Sequence, residues 1–247
     1  MTGHTRTALI TGSGRNIGRG CANALAQSGF NVVINGSSDR AACDRVADEV
    51  RDHGAKALVA MADIGDKSAV EAMARTALDE FGTIDVLINN AAIRPAGAFL
   101  EMSDDDLGHV MNVNCYSAVW LAQAFLPGMI ANGWGRIINF TGMNAQQGTG
   151  GRPAVTMSKH AAWGLTKTLS REVGPKGITC NIISPGTFPG EGENPAHAGR
   201  LDQLKADNPS GRLGEANDIA SLVDLLCSEN GSFINGQLLQ VNGGVVG

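Results

Sequence analysis

The chain has 247 residues, which is enough for one α/β domain or two small ones. Its net charge is −5 without a basic run, and no segment approaches the ~20 apolar residues of a membrane span, so neither nucleic acid nor a membrane is an expected partner. The five cysteines are odd in number and widely spaced, and the five histidines lack metal-ligand spacing. We therefore expect a cytoplasmic protein with no disulfide framework and no metal site.

Apolar runs of strand length alternate with helix-length segments from one end of the chain to the other. The segment Ala69–Phe81 carries its apolar residues on one stripe, and Asp66 and Ser103 are expected helix N-caps. The strand-length runs are continuously apolar, which favours a parallel sheet covered on both faces. We predict an α/β fold, a doubly wound (Rossmann) parallel sheet of about seven strands in a single domain over residues 1–247. The predicted strands are Thr7–Ile10, Asn31–Asn35, Ala57–Met61, Val86–Asn89, Arg136–Phe140, Thr179–Ile183 and Gln237–Val241.

The first predicted strand runs into a glycine-rich turn and then into a helix. Such a turn is typical of a dinucleotide site, because backbone N–H groups and the helix N-terminus meet the pyrophosphate there. Glycines allow the tight turn and the close approach of phosphate. The residues predicted to bind the cofactor in this turn are Gly12, Ser13, Gly14, Arg15, Asn16, Ile17 and Gly18.

Further landmarks follow in order along the chain: Asn89-Asn90-Ala91-Ala92, Asn114, Lys159 and Pro185-Gly186. With the glycine turn they make the chain resemble the short-chain dehydrogenase/reductase family over essentially its full length, ketoacyl-carrier-protein reductases included. The resemblance implies an NAD(P)-dependent oxidoreductase acting on the carbonyl or alcohol group of a small-molecule substrate. It also implies cofactor contacts from Asp63, Ile64, Asn90, Ala91, Lys159, Pro185 and Gly186.

The family usually has glycine where Asn16 stands. Asparagine tolerates left-handed backbone better than most residues, so we expect the turn to keep its shape.

The charge after the second strand indicates which dinucleotide is bound. An NAD enzyme places an acid there to accept from the ribose 2′-hydroxyl. Here Gly36 and Ser37 follow the strand, and the next acid is Asp39. Arg15 and Arg40 are expected to pair with a 2′-phosphate and Ser37 to donate to it. We predict NADP, with NAD as the alternative because Asp39 lies close by in the sequence.

The resemblance breaks at the family's acid/base pair. Its tyrosine, four residues before the lysine, corresponds to Val155, and its serine corresponds to Gly142. The only tyrosine of the chain, Tyr116, follows Asn114 and does not precede Lys159 by one helical turn. The remaining catalytic candidates are Asn114 and Lys159, which in the family support a water relay and hold the ribose.

Three interpretations remain open. The protein is a hydride-transfer enzyme with a non-standard proton donor, for which an Asn114–Lys159 water relay is the preferred candidate. The alternative donors are Thr141, Thr156, Ser158 and Arg152. Otherwise it is a catalytically silent NADP-binding or regulatory homologue, or it performs non-redox chemistry in the same crevice.

Residues 187–210 contain three prolines and three glycines, too broken for a strand and too long for a simple turn. They follow the sixth predicted strand, at the edge of the sheet where ligands bind, so we predict a substrate lid.

The last predicted strand is an apolar edge, which is an aggregation hazard in a monomer. Family members that pair this edge across a two-fold axis suggest a homotetramer, or a dimer as its half.

Overall fold

The structure, a computed structural model, describes residues 5–190 and 199–246. Seven parallel strands form one sheet in the order β3-β2-β1-β4-β5-β6-β7. The predicted fold class and all seven predicted strands are therefore confirmed. The strands are β1 (Thr7–Ile10), β2 (Asn31–Ile34), β3 (Ala57–Val59), β4 (Val86–Asn89), β5 (Gly135–Phe140), β6 (Ile178–Pro185) and β7 (Leu238–Val241).

Helices cover both faces of the sheet. They are α1 (Asn16–Gln27), α2 (Arg40–Asp52), α3 (Lys67–Phe81), α4 (Asp104–Met111), α5 (Ser117–Asn132), α6 (Met143–Gln147), α7 (Pro153–Glu172), α8 (Leu201–Ala206) and α9 (Ala216–Cys227). Within the described part of the chain, no helix combines the length and the apolar character needed to cross a membrane.

Strands β1 to β6 each contribute to two hydrophobic cores because successive side chains point to opposite faces. Ile10 packs with Leu25 and Val223 on the face of α1, α2 and α9. Its neighbour Leu9 packs with Met73 and Phe125 on the face of α3 and α5. Burial on both faces explains why the strands read as continuous apolar runs.

The two predicted N-caps are also confirmed. Asp66 accepts hydrogen bonds from the N–H groups of Ser68 and Ala69 at the start of α3. Ser103 forms a reciprocal capping box with Asp106 at the start of α4. These caps satisfy N–H groups that a helix otherwise leaves without partners.

The strand order reverses direction between β1 and β4, and this switch point fixes where a ligand can enter. The helices after these two strands lead away on opposite faces, which leaves a crevice at the carboxyl ends. The predicted lid, residues 187–210, follows β6 at this edge. Its middle part, 191–198, lies outside the described residues, and its described part contains α8, a short helix that the sequence did not predict.

Candidate active site

A crevice of about 900 Å³ opens at the carboxyl ends of the strands. Its walls come from the segments that follow β1, β2, β3, β4, β5 and β6, together with the start of α7. Most of the predicted cofactor residues line it: Gly12, Arg15, Asn16, Ile17, Gly18, Ser37, Asp63, Ile64, Asn90, Ala91, Lys159, Pro185 and Gly186.

The glycine turn has the backbone shape that its sequence requires. Asn16 has φ 51°, and it alone among the described non-glycine residues has a positive φ. The expectation that asparagine accepts a left-handed backbone here is confirmed. A Cβ on Gly18 would lie 2.5 Å from the Gly12 carbonyl oxygen, so helix α1 packs against the turn at a distance only glycine permits. Arg15, the N-cap residue of α1, makes no side-chain hydrogen bond to the helix, and the helix N-terminus lines the crevice, where it suits an anion.

Side chains from neighbouring strands hold this turn in place. Asn90 donates to the carbonyl oxygens of Thr11 and Gly12, at 2.9 and 3.1 Å. Thr11 Oγ1 accepts from the N–H groups of Asn90 and Ala91. Asn35 Oδ1 accepts from the Gly12 N–H, and its amide donates to backbone carbonyls after β3. The turn is thus rigid before any ligand arrives.

The end of β2 carries no carboxylate that is free to face the crevice. Ser37 lines the crevice, whereas Asp39 is the N-cap of α2 and accepts from the Ala42 N–H at 2.9 Å. Arg15 lines the crevice and is exposed. Arg40 pairs with Asp44 and does not line the crevice, so Arg15 is the better placed of the two predicted phosphate partners.

Lys159 is the one cation buried against the inner wall of the crevice among the described residues. Its side chain is 3% exposed, and Nζ donates to the Phe140 carbonyl oxygen at 2.8 Å. Burial, and after it the charge of Arg94, lowers the pKa of Lys159 from 10.5 to about 7. The amine therefore changes charge near neutral pH, where a proton donor is most useful.

Asn114 lies in a π-helical turn, Asn112–Tyr116, between α4 and α5. Its Oδ1 accepts from the Ile93 N–H at 2.9 Å, and its amide donates to the Ile93 carbonyl oxygen and to Ser158 Oγ. Both amide hydrogens are therefore used inside the protein. The side chain joins the loop after β4 to helix α7 and does not line the crevice.

Gly142 and Val155 both line the crevice near Lys159. Gly142 has φ 173°, an extended conformation open to any residue, and a Cβ added there meets nothing within 4 Å. Val155 lies one helical turn before Lys159 on α7 and packs with Val110 and Ala154. Neither residue can give or take a proton.

Comparison with known proteins places this geometry in a family. A family model described as enoyl-(acyl carrier protein) reductase matches residues 12–246. A 3-oxoacyl-[acyl-carrier-protein] reductase of Staphylococcus epidermidis is 34% identical over 242 residues, covering 97% of this chain and 98% of the relative. The (2S)-[(R)-hydroxy(phenyl)methyl]succinyl-CoA dehydrogenase subunit BbsD of Thauera aromatica is 37% identical over 247 residues, covering 97% and 96%. The chain belongs to the short-chain dehydrogenase/reductase family.

One solved structure of a similar protein carries a cofactor. The blue fluorescent protein from a metagenomic library, in complex with NADPH, has a TM-score of 0.91 and 32% identity, covering 98% of each chain. That likeness concerns the complete scaffold and thus includes the crevice at the strand ends.

Within this family scaffold, two predicted cofactor residues lie behind the surface. Ser13 is fully buried and bonds to the backbone of Ile10 and Asn35, and Gly14 packs near Cys43. Neither lines the crevice. The assignments of Asn114, Lys159, Gly142 and Val155 to family positions stay predictions.

The sequence analysis missed the crevice residue His109. Arg152, which it named only as a possible proton donor, and Phe188, which lies in the predicted lid, also line the crevice. Arg152 directly precedes Pro153, and a proline at this position is typical of a helix start. The sequence does not indicate that the arginine side chain faces the crevice. His109 is on the last turn of α4 and has no sequence feature that marks it.

Proposed function

We propose that the protein is an NADP-dependent oxidoreductase that interconverts a carbonyl and an alcohol on a small molecule. The observation that carries the proposal is the single crevice in which an uncapped glycine turn and a buried lysine face each other. The reductases and the dehydrogenase subunit among its relatives, and the NADPH complex of a structural neighbour, support it.

The residues present fit the cofactor. Gly12 and Gly18 leave a cradle that a Cβ would fill, and the N-terminus of α1 opens onto it. Asp63 lines the crevice and would accept from the adenine, and Arg15 with Ser37 would hold a 2′-phosphate. Asn90 and Ala91 would lie along the cofactor, with Pro185 and Gly186 at the nicotinamide end. When bound, the nicotinamide supplies or accepts the hydride.

The proton needs a donor that is not a phenol, and we assign this role to Lys159. Valine is smaller than tyrosine, so Val155 leaves room for a water between Lys159 Nζ and the substrate oxygen. One of the three ammonium hydrogens goes to the Phe140 carbonyl oxygen, and no hydrogen bond to another described residue engages the other two. In reduction the proton passes from Nζ through the water to the carbonyl oxygen as the hydride reaches the carbon.

Asn114 then acts as a positioning residue. Its side chain fixes Ser158, the neighbour of Lys159, and the loop carrying Ile93. This differs from a relay through its amide, because that amide has no hydrogen left to hand on.

Cofactor binding is the first test. Calorimetric titration should give tighter binding of NADPH than of NADH, and Arg15→Ala should weaken NADPH binding more than NADH binding. Arg75→Ala, an exposed arginine on α3, is the matched control. No binding of either dinucleotide at millimolar concentration refutes the proposal.

The proton donor is tested by pH dependence. With Lys159 as the acid, the rate of ketone reduction should fall as pH rises through about 7, because the amine loses its proton. Lys159→Met should remove this dependence and slow reduction by roughly 10²–10⁴. Lys167→Met, on the exposed face of the same helix, should change neither. An unchanged pH profile in Lys159→Met would assign the proton to another group.

The competing function is a silent NADP-binding or regulatory protein, favoured by Val155 and Gly142. It predicts tight NADPH binding without turnover of any ketone or alcohol. Non-redox chemistry in the same crevice predicts turnover that does not consume the cofactor.

A further inference from the structure

Two arginines are held side by side at the mouth of the crevice. Arg94 follows β4, and Arg152 is the residue before α7. Arg152 Nη1 donates to the Arg94 carbonyl oxygen at 2.8 Å, and the Gly97 N–H donates to the Gly151 carbonyl oxygen at 2.9 Å. The backbone of one loop is thus fastened to the other, and both side chains line the crevice.

Neither arginine forms an ion pair with a residue that the structure describes. The single acid among the described crevice residues is Asp63, which follows β3. Strand β3 is three positions from β4 in the sheet, so the two strand ends are roughly 14 Å apart. The substrate end of the crevice therefore carries Arg94, Arg152 and Lys159 with no described carboxylate beside them.

The like charges of these side chains repel one another, so the arrangement by itself is electrostatically unfavourable. Partial burial and, after it, the neighbouring Arg152 lower the pKa of Arg94. The residue keeps an exposed face at the crevice. Arg94 in turn disfavours the charged form of Lys159. Like charges kept together by backbone hydrogen bonds are best explained by an anion that neutralises them on binding.

We propose that Arg94 and Arg152 form a subsite for a carboxylate of the substrate, so that the protein acts on a small oxo acid or hydroxy acid. The proposal rests on the proposed function and names its substrate class. Planar guanidinium groups suit a carboxylate because they offer paired N–H donors in a fixed geometry. Arg94 is close enough to Lys159 for its charge to influence that amine, so a carboxylate bound to Arg94 would lie near Lys159 as well.

The subsite couples substrate binding to protonation. Lys159 is faced by Arg94 from the loop after β4 and by the Cys115 thiol from the π-helical turn, and His109 of α4 lines the same crevice. A bound carboxylate cancels charge on Arg94 and so favours the ammonium form of Lys159. Substrate binding near neutral pH should therefore take up a proton and load the donor.

The experiment is calorimetry on the NADPH-loaded protein with three oxo acids of increasing length, including 4-oxopentanoate, and with their methyl esters. The acids should bind at least tenfold more tightly than the esters. Arg94→Gln and Arg152→Gln should each weaken acid binding about ten- to a hundredfold, because a charge-assisted hydrogen bond is lost, and leave ester binding unchanged. Arg94→Lys should restore part of the affinity, and Arg75→Gln should have no effect.

Repeating the titration in buffers of different ionisation enthalpy measures the proton. Uptake at pH 7 to 8 should accompany acid binding, and it should vanish in Lys159→Met, which still binds the acid. Equal binding of acids and esters, or acid binding unaffected by both arginine variants, overturns the proposal. Inorganic phosphate binding more tightly than every oxo acid would also overturn it, in favour of a phosphate ester. Acid binding that depends on the arginines without any turnover would leave the subsite standing and refute the oxidoreductase function instead.

Discussion

Placing a serine at position 142 and a tyrosine at position 155, where the family resemblance predicts them, is the most direct perturbation of this site. In the variant Gly142→Ser/Val155→Tyr, the serine meets an extended backbone with open space around its Cβ. The tyrosine ring replaces a valine that is 7% exposed and packs against Val110 and Ala154. Because Val155 lines the crevice, the ring has an exit toward the substrate, one helical turn from Lys159.

The size of the gain follows from the chemistry added. A positioned general acid contributes roughly 10²–10⁴ in rate, which is about 2.7–5.4 kcal/mol of barrier. Overpacking at Val155 costs roughly 1–3 kcal/mol of folding stability, so the variant should still fold. The gain should appear with neutral ketones, because a phenol and a serine do not depend on the charge of the substrate.

NADPH consumption with a neutral diketone and a cyclic ketone measures the effect. The matched control is Gly142→Ser/Val155→Phe, which adds the same ring without the hydroxyl and should gain nothing. Adding Lys159→Ala to the tyrosine variant should abolish the gain, because an unassisted phenol near pKa ~10 is a poor match to neutral pH. A folded, NADPH-binding double variant that reduces no ketone would refute the inference that the crevice is built for hydride transfer.

Three other predictions concern stability and assembly. In chemical denaturation at pH 7 and below, Lys159→Met should be more stable than the parent protein by up to a few kcal/mol, because the pKa of Lys159 is about 7 in the folded protein and 10.5 in the unfolded chain. The difference in stability should shrink as pH rises from 7 to 10.5. A stability difference that does not change with pH would contradict this prediction. Gly18→Ala should destabilise the protein and abolish NADPH binding because its Cβ would collide with the turn, whereas Gly164→Ala, with open space inside α7, should stabilise it by about 0.5–1 kcal/mol. Light scattering should show a tetramer or dimer at micromolar concentration. Phe233→Asp should weaken this assembly, because Phe233 is fully exposed beside the edge strand β7. A monomer of the parent protein would argue against the assembly.

The fold was predictable because its signals are local and repeated. A strand buried on both faces must be continuously apolar, so Thr7–Ile10 and Val86–Asn89 were visible from composition alone. The turn at Asn16 was predictable as well, since few residue types accept a positive φ. Both the apolar strands and the turn are set by local requirements, burial in one case and backbone conformation in the other, which a few consecutive residues display.

The electrostatics of the site depend on contacts between distant segments, which the sequence does not display. Arg94 and Arg152 are 58 residues apart and meet only because two loops hydrogen-bond to each other. Asp39 is close enough in sequence to accept from a ribose hydroxyl, but in the structure it is the N-cap of α2. Asn114 was predicted to support a water relay, and its amide donates to the Ile93 carbonyl oxygen and to Ser158 Oγ. In each case the sequence gives the residue type, whereas the direction of the side chain is set by contacts that only the structure displays.

Val155, at the position where we predict the family's tyrosine, and the two arginines would have a common explanation in the proposed mechanism. A lysine whose pKa is about 7 is only partly charged at neutral pH, so alone it is a poorly loaded acid. A substrate that brings a carboxylate to Arg94 removes the repulsion that discharges the amine. Catalysis would then require the anion, and neutral ketones would bind without being protonated. The parent protein should therefore reduce an oxo acid and not its methyl ester, while the Gly142→Ser/Val155→Tyr variant should reduce both. If the parent protein reduces both at the same rate, the lysine does not depend on the substrate for its charge.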